Sequence, residues 1–217
     1  GEKYMPGACV ACHSGSQYNG SFASRGTPSA FLGAGFLPFD TNNYLFGSQA
    51  GLSEAAQSQA LHDLNMLVRD TDQYSTNPAL TRLIDGWYAG GATTLDKNYV
   101  APDWAAAEAA GSTGASKVYR HVVGGVCRTC HVAMGSDVRK RKFDWDTNVP
   151  GLLNNGVATN HFCGGSPDVA INASMPNALI SRDRLVDRIQ ADPELGTLIT
   201  QYLGCVTPRP DPAYPSR

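Results

Sequence analysis

The sequence predicts a mainly α-helical chain of two lobes, and three features support this fold class. Several stretches carry apolar residues at the i, i+3, i+4 and i+7 spacing of a helix with one buried face. The pattern Cys-x-x-Cys-His occurs near the start of the chain and again past its middle, which indicates two similar sites. Residues 101–116, rich in Ala, Gly and Ser, are expected to link a first lobe, 1–100, to a second, 117–205. A Pro-rich tail at 206–217 cannot continue a helix.

The repeated pattern is typical of covalent haem attachment. Its two copies are Cys9-Val10-Ala11-Cys12-His13 and Cys127-Arg128-Thr129-Cys130-His131. Two thiols three positions apart can each add across a vinyl group of one haem, and the histidine that follows can bind the iron. A structural zinc site or a redox-active dithiol would use a similar Cys spacing. Neither alternative explains why a histidine directly follows the second cysteine in both copies. We therefore expect two covalently attached haem c groups, with His13 and His131 as proximal iron ligands.

The N-terminal lobe is expected to be loop-rich with two helices. Residues 14–51 are rich in Gly, Ser and aromatic side chains, which predicts a loop wrapped over the first porphyrin. A helix is predicted at about 53–70, with Ser53 as its N-cap. Its buried stripe is expected to contain Leu61, Leu64 and Val68. A second helix follows Asn77-Pro78, and its buried face is expected to contain Leu80, Leu83, Ile84, Trp87 and Tyr88.

The C-terminal lobe has the order of elements expected of a class I cytochrome c-like domain. After a short candidate helix at 103–110, an amphipathic stripe made of Tyr119, Val122, Val123 and Val126 runs directly into Cys127. Another helix is predicted at 181–190. The last helix begins near Asp192-Pro193, and its stripe contains Leu195, Leu198, Ile199, Tyr202 and Leu203. In class I cytochromes c the motif helix and the last helix cross beside the haem, so we expect that crossing here.

The sixth iron ligand decides whether each haem carries electrons or does chemistry. For the second haem the best candidate is Met175, which precedes a proline in an irregular, Gly-rich and Asn-rich stretch. For the first haem we favour His62, which lies one helical turn from Met66 on the same face. Met66, His121, His161 and an open coordination position are the alternatives.

Further residues add a resemblance to a known class of proteins. The stretch from Cys127 to Ala133, followed by Cys163 and then by Met175-Pro176-Asn177-Ala178, resembles exported bacterial cytochrome c domain proteins. Leu64-Asn65, Asn77-Pro78 and Ile84-Asp85-Gly86-Trp87-Tyr88 are similar to the region that precedes the haem motif in some multi-haem members. The resemblance implies that Met175 binds the second haem iron. It also implies haem attachment outside the cytoplasm, so we expect a periplasmic or extracellular location.

The two remaining cysteines are consistent with an exported protein. Cys163 and Cys205 are expected to form a disulfide, which would contribute about 4 kcal/mol in the chain-entropy model. Two buried thiols, or a Cys163 thiolate bound to haem iron, are the alternatives.

The expected function is the relay of single electrons between transient redox protein partners. A formal net charge of −2 does not favour a nucleic acid or a membrane surface as partner, and no apolar run is long enough to span a membrane. One alternative is a dihaem oxidoreductase, either peroxidase-like or a sulfur-compound dehydrogenase. Another is a self-assembling subunit of an extracellular conductive polymer. No catalytic residues are assigned.

Overall fold

The computed structural model describes His13 and residues 35–72, 79–132 and 179–203. These residues are mainly helical and include no strand, which confirms the predicted mainly α class. Within the same ranges, no helix combines the length and apolarity needed to cross a membrane.

The chain divides into two compact units. The first consists of Gly1–Tyr99 and Cys130–Asp144, and the second of Val100–Thr129 and Trp145–Arg217. The stretch expected to link the lobes, 101–116, therefore belongs to the second unit. Trp104 and Ala115 within it are 0% exposed, so it contributes to that unit's core.

Two packed helices form the core of the first unit. Helix α1 spans Glu54–Asp72, and the hydroxyl of Ser53 accepts a hydrogen bond from the backbone N–H of Ala56 at 3.3 Å, as expected of an N-cap. Helix α2 spans Ala79–Trp87 and packs against α1. All the residues predicted on its buried face are buried: Leu80, Leu83, Ile84, Trp87 and, just past its end, Tyr88. Short 3-10 turns occur at Thr41–Asn43 and Ala89–Gly91.

The predicted stripe of α1 is wrong at one position. Leu61 and Val68 are buried, but Leu64 is 40% exposed. Asn65 takes its place and is 0% exposed. Asn65 can be buried because three hydrogen bonds, described below, offset the cost of removing its polar side-chain atoms from water.

The second unit begins with α3, Pro102–Ala109, and continues through a single helical rod. Helix α4, Ala115–Val118, passes into a π-helical segment, Tyr119–Cys127, and then into α5, Arg128–His131. The second unit ends at Thr129, within α5, so Cys130 and His131 are assigned to the first unit. The residues at both junctions have right-handed helical dihedral angles, so the rod is continuous. The predicted stripe is buried throughout: Tyr119, Val122, Val123 and Val126.

The last two helices cover this rod. Helix α6 spans Leu179–Ala191 and packs on the π-helical segment, while α7, Pro193–Leu203, packs on α6 and on α4. The last helix thus meets the rod at its first turn, where a Cβ on Gly114 would lie 2.5 Å from the Leu198 side chain. Gly114 also has a φ of +78°, so both the backbone and the packing require glycine there.

Candidate haem-attachment sites

The first motif is represented in the described part of the chain by His13. Its Nδ1 lies 2.9 Å from the carbonyl oxygen of Gly35, and the N–H of Gly35 donates to the carbonyl of His13 at 2.7 Å. When Nδ1 carries the proton and donates it to Gly35, Nε2 is the unprotonated nitrogen that can bind a metal. A backbone carbonyl therefore fixes the ring of His13 as an iron ligand requires.

Asn65 connects the segment that holds His13 to helix α1. Its side-chain oxygen accepts from the backbone N–H of Phe39 at 2.7 Å, and its amide nitrogen lies 3.1 Å from the Phe39 carbonyl oxygen. The same nitrogen lies 2.8 Å from the hydroxyl oxygen of Tyr88. Because Gly35 and Phe39 are four residues apart, the chain places them at most about 14 Å from each other. Sequence reasoning gave Asn65 no role, although a polar residue inside an apolar stripe was a signal that could have found it.

His62, the favoured sixth ligand for the first haem, lies three residues before Asn65 on α1. Its Nδ1 is 3.0 Å from a carboxylate oxygen of Asp63, and its ring meets that of Tyr88 edge-on, with the centroids 4.8 Å apart. The hydrogen bond from His62 is the largest cause that lowers the pKa of Asp63. With Nδ1 as the donor, Nε2 of His62 is again the nitrogen that can bind a metal. His62 and His13 belong to the same compact unit.

The other three candidate ligands for the first haem iron lie in different parts of the chain. Met66 is partly buried on α1. His121 lies on the π-helical segment and belongs to the second unit. Its side chain is exposed, but partial desolvation of the ring lowers the pKa of His121, with a further contribution from the positive charges of Arg188 and Arg120. His161 falls outside the described residues.

Apolar surface lies next to Gly35, the residue whose carbonyl oxygen contacts the ring of His13. Phe36 directly follows Gly35, and its side chain is 65% exposed. Large apolar side chains exposed elsewhere in the same unit are Tyr44, Leu45, Leu52, Leu64 and Leu67. Single exposed apolar residues are common at protein surfaces, so these side chains do not by themselves identify a binding surface. They are compatible with contact to an apolar porphyrin.

The second motif lies at the end of the helical rod. Cys127 closes the π-helical segment and is 5% exposed, His131 ends α5 and is partly buried, and Val132 is 4% exposed. Helical spacing brings positions 127, 130 and 131 to neighbouring places on the rod, as attachment of one porphyrin requires. The donor set and the buried surroundings of Cys127 fit a haem.

Arg128, between the two cysteines of this motif, has a role that sequence reasoning missed. It is 3% exposed, and its Nη1 donates to the hydroxyl oxygen of Tyr119 at 3.0 Å. Its position inside the motif was visible in the sequence, but its burial was not.

The remaining predicted site residues lie outside the described residues: Cys9, Cys12, Cys163, Met175 and Cys205. The side chain of Cys130 is likewise not described. No cluster of three or more His, Cys, Asp or Glu side chains able to hold a metal ion occurs among the described residues. A haem iron needs no such cluster, because the porphyrin supplies four of its ligands.

Comparisons with models of protein families, with curated proteins and with solved structures gave no match for this chain.

Proposed function

We propose that this chain is an exported dihaem c-type cytochrome that relays single electrons between redox partners. The observation that carries the proposal is the hydrogen bond between Nδ1 of His13 and the carbonyl oxygen of Gly35. A redox-active dithiol would give this histidine no role, whereas a haem ligand needs its ring fixed with Nε2 available for iron. A histidine directly follows the second cysteine in both copies of the motif.

The two haems would be held by different parts of the chain. Cys9, Cys12 and His13 would hold the first in a loop-rich N-terminal lobe, and Cys127, Cys130 and His131 the second in a class I cytochrome c-like lobe. His62 is the proposed sixth ligand of the first iron, supported by the Asp63 carboxylate and the Tyr88 ring that orient it. Met175 is the proposed sixth ligand of the second.

The haem and the protein would have different roles in electron transfer. Haem supplies reversible one-electron exchange at its iron. The residues of this chain would attach it through thioethers, orient the axial ligands and exclude water from the iron. Contacts with redox partners would be small and transient, as is usual for electron carriers. The proposed location is the periplasm or the cell exterior.

The first test is the haem content of protein purified from a host that attaches c-type haem. Intact-mass analysis and a pyridine haemochrome assay should both show two haems per chain. A chain that carries no haem in such a host would overturn the proposal.

The second test is a low-temperature electron paramagnetic resonance spectrum of the oxidised protein. Two low-spin signals, one typical of bis-His and one of His/Met coordination, would support the carrier with His62 and Met175 as ligands. A high-spin signal, together with turnover of peroxide or thiosulfate, would instead favour the dihaem oxidoreductase. Light scattering of the same sample separates a discrete carrier from a conductive polymer.

A further inference from the structure

The guanidinium group of Arg128 is buried within the second haem motif. In addition to its hydrogen bond to the Tyr119 hydroxyl, its central carbon lies 5.5 Å from the centre of the Tyr119 ring. A Cβ on Gly124 would lie 3.1 Å from Nη2 of Arg128, so the missing side chain at this position leaves room for the guanidinium. Arginine is always protonated in proteins, so this group carries a positive charge in a buried environment.

The π-helical segment is what brings these residues together. Tyr119 and Arg128 are nine positions apart in the sequence. In an α-helix with 3.6 residues per turn, nine residues make about two and a half turns, so the two side chains would point to opposite sides. A π-helix has wider turns of about 4.4 residues, and nine residues make about two of them. The π-helical geometry therefore brings Tyr119 and Arg128 to the same side of the rod.

We propose that Arg128 raises the reduction potential of the haem attached to Cys127 and Cys130. This inference rests on the proposed function. When the iron accepts one electron from a redox partner, the charge of the haem site falls by one. A fixed positive charge favours the more negative state, and burial strengthens the interaction because the protein interior screens charges less than water does. Arg128 adjoins Cys127 in the chain, and its guanidinium lies against Tyr119 and Gly124 on the helical rod that carries the motif, so its charge would act on the attached haem over a short distance.

The test is a redox titration of both haems in the full chain, comparing wild type with Arg128→Gln. At the midpoint potential of the second haem in the wild type, the variant should have an oxidised-to-reduced ratio at least about tenfold higher. For a one-electron couple this is a downward shift of about 59 mV. The first haem, titrated in the same sample, should keep its potential.

Three further variants separate charge from structure. Arg128→Lys keeps the charge. At the same applied potential it should change the oxidised-to-reduced ratio of the second haem by less than about threefold. Tyr119→Phe removes the hydroxyl but leaves the arginine, and should behave the same way. Arg82→Gln, which removes an exposed charge on α2, should leave the second haem unchanged.

The outcomes that would overturn the inference are distinct from failure of the proposed function. Two haems with an unchanged potential in Arg128→Gln would refute the role of Arg128 alone. A shift in Arg128→Lys as large as that in Arg128→Gln would also refute it. Arg128→Met replaces the glutamine variant if the latter yields no holoprotein. If neither neutral variant accumulates holoprotein while Arg128→Lys does, the role of Arg128 is structural. Absence of haem from the wild type refutes the proposed function itself.

Discussion

Asn65 makes polar contacts to two separate parts of the first unit, Phe39 and Tyr88. Replacing it with Ala leaves the backbone N–H and C=O of Phe39 and the hydroxyl of Tyr88 without this partner. Because Asn65 is fully buried, we expect Asn65→Ala to lower the free energy of unfolding by about 3 kcal/mol. The measurement is the shift in urea midpoint, converted with the denaturant slope.

Two matched variants calibrate this prediction. Tyr88→Phe removes only one of the three contacts and should cost about 1 kcal/mol. Leu67→Ala changes an exposed residue on the same helix and should cost less than about 0.5 kcal/mol. If Asn65→Ala lowered the free energy of unfolding no more than Leu67→Ala does, the hydrogen bonds of Asn65 to Phe39 and Tyr88 would not stabilise the unit.

His121 makes the stability of the second unit depend on pH. His121 is exposed, but partial desolvation of its ring is the largest cause that lowers its pKa from 6.5, followed by the positive charges of Arg188, Arg120 and Lys117, while Asp192 acts in the opposite direction. Since the pKa is lower in the folded state, the unfolded chain binds the proton more readily below about pH 6.5. The free energy of unfolding should therefore fall as the pH is lowered from 7 towards 5.

Comparison with His121→Gln isolates this contribution. The difference in free energy of unfolding between wild type and variant should be constant above about pH 7 and should move in favour of the variant below pH 6.5. A difference that stays constant from pH 8 to pH 5 would show that His121 does not titrate differently in the folded and unfolded states.

At the scale of secondary-structure elements, the contact between α6 and the π-helical segment depends on Gly125. A Cβ at this position would lie 1.4 Å from Nη1 of Arg188, which donates to the carbonyl oxygen of His121 at 2.8 Å. Gly125→Ala must displace the guanidinium and break that hydrogen bond. We expect a net loss of about 1 kcal/mol, because alanine's better helix propensity offsets part of the cost.

The sign of this effect should reverse when Arg188 is absent. In an Arg188→Ala background the three atoms nearest to the new Cβ are gone, so Gly125→Ala should stabilise by up to about 1 kcal/mol. Arg184→Ala, one turn earlier on α6, is the matched control, and in that background Gly125→Ala should still destabilise. Urea unfolding of the six proteins measures both effects. Additive effects of Gly125→Ala and Arg188→Ala would contradict the contact.

The helices were largely predictable from the sequence, whereas the π-helical segment was not. Apolar spacing and caps predicted α1, α2, α6 and α7 to within a few residues, and α3 was a candidate helix within the Ala-rich stretch 101–116. The π-helix escaped detection because residues 122–126 are all apolar or glycine and all buried, so no polar face records whether a turn holds 3.6 residues or more. The crossing of α6 at Gly125 depends on a side chain from a distant helix, which local spacing cannot reveal. The two Cys-x-x-Cys-His motifs are visible in the sequence alone, and the haem attachment that they predict stays a prediction.

At the scale of the whole molecule, each compact unit has its own buried core. Leu83, Ile84 and Trp87 are fully or almost fully buried in the first, and Trp104, Tyr119 and Leu185 in the second. The second motif is not confined to one core, because Cys127 belongs to the second unit and Cys130 and His131 to the first. Each haem would nevertheless be attached only by the cysteines of its own motif, so we expect that each motif can be disabled separately. Cys9→Ala combined with Cys12→Ala should leave one haem, and so should Cys127→Ala combined with Cys130→Ala.

Coulometric titration provides the readout for this last prediction. The wild type should accept two electrons per chain and each double variant one, since each haem exchanges a single electron. The first pair of substitutions should remove only the signal assigned to bis-His coordination, and the second only that assigned to His/Met. Thr129→Ser, which alters the second motif but keeps its attachment residues, should retain both. If disabling one motif eliminated both haems, the two sites would form one cooperative unit, and the division into two haem-binding lobes would be wrong.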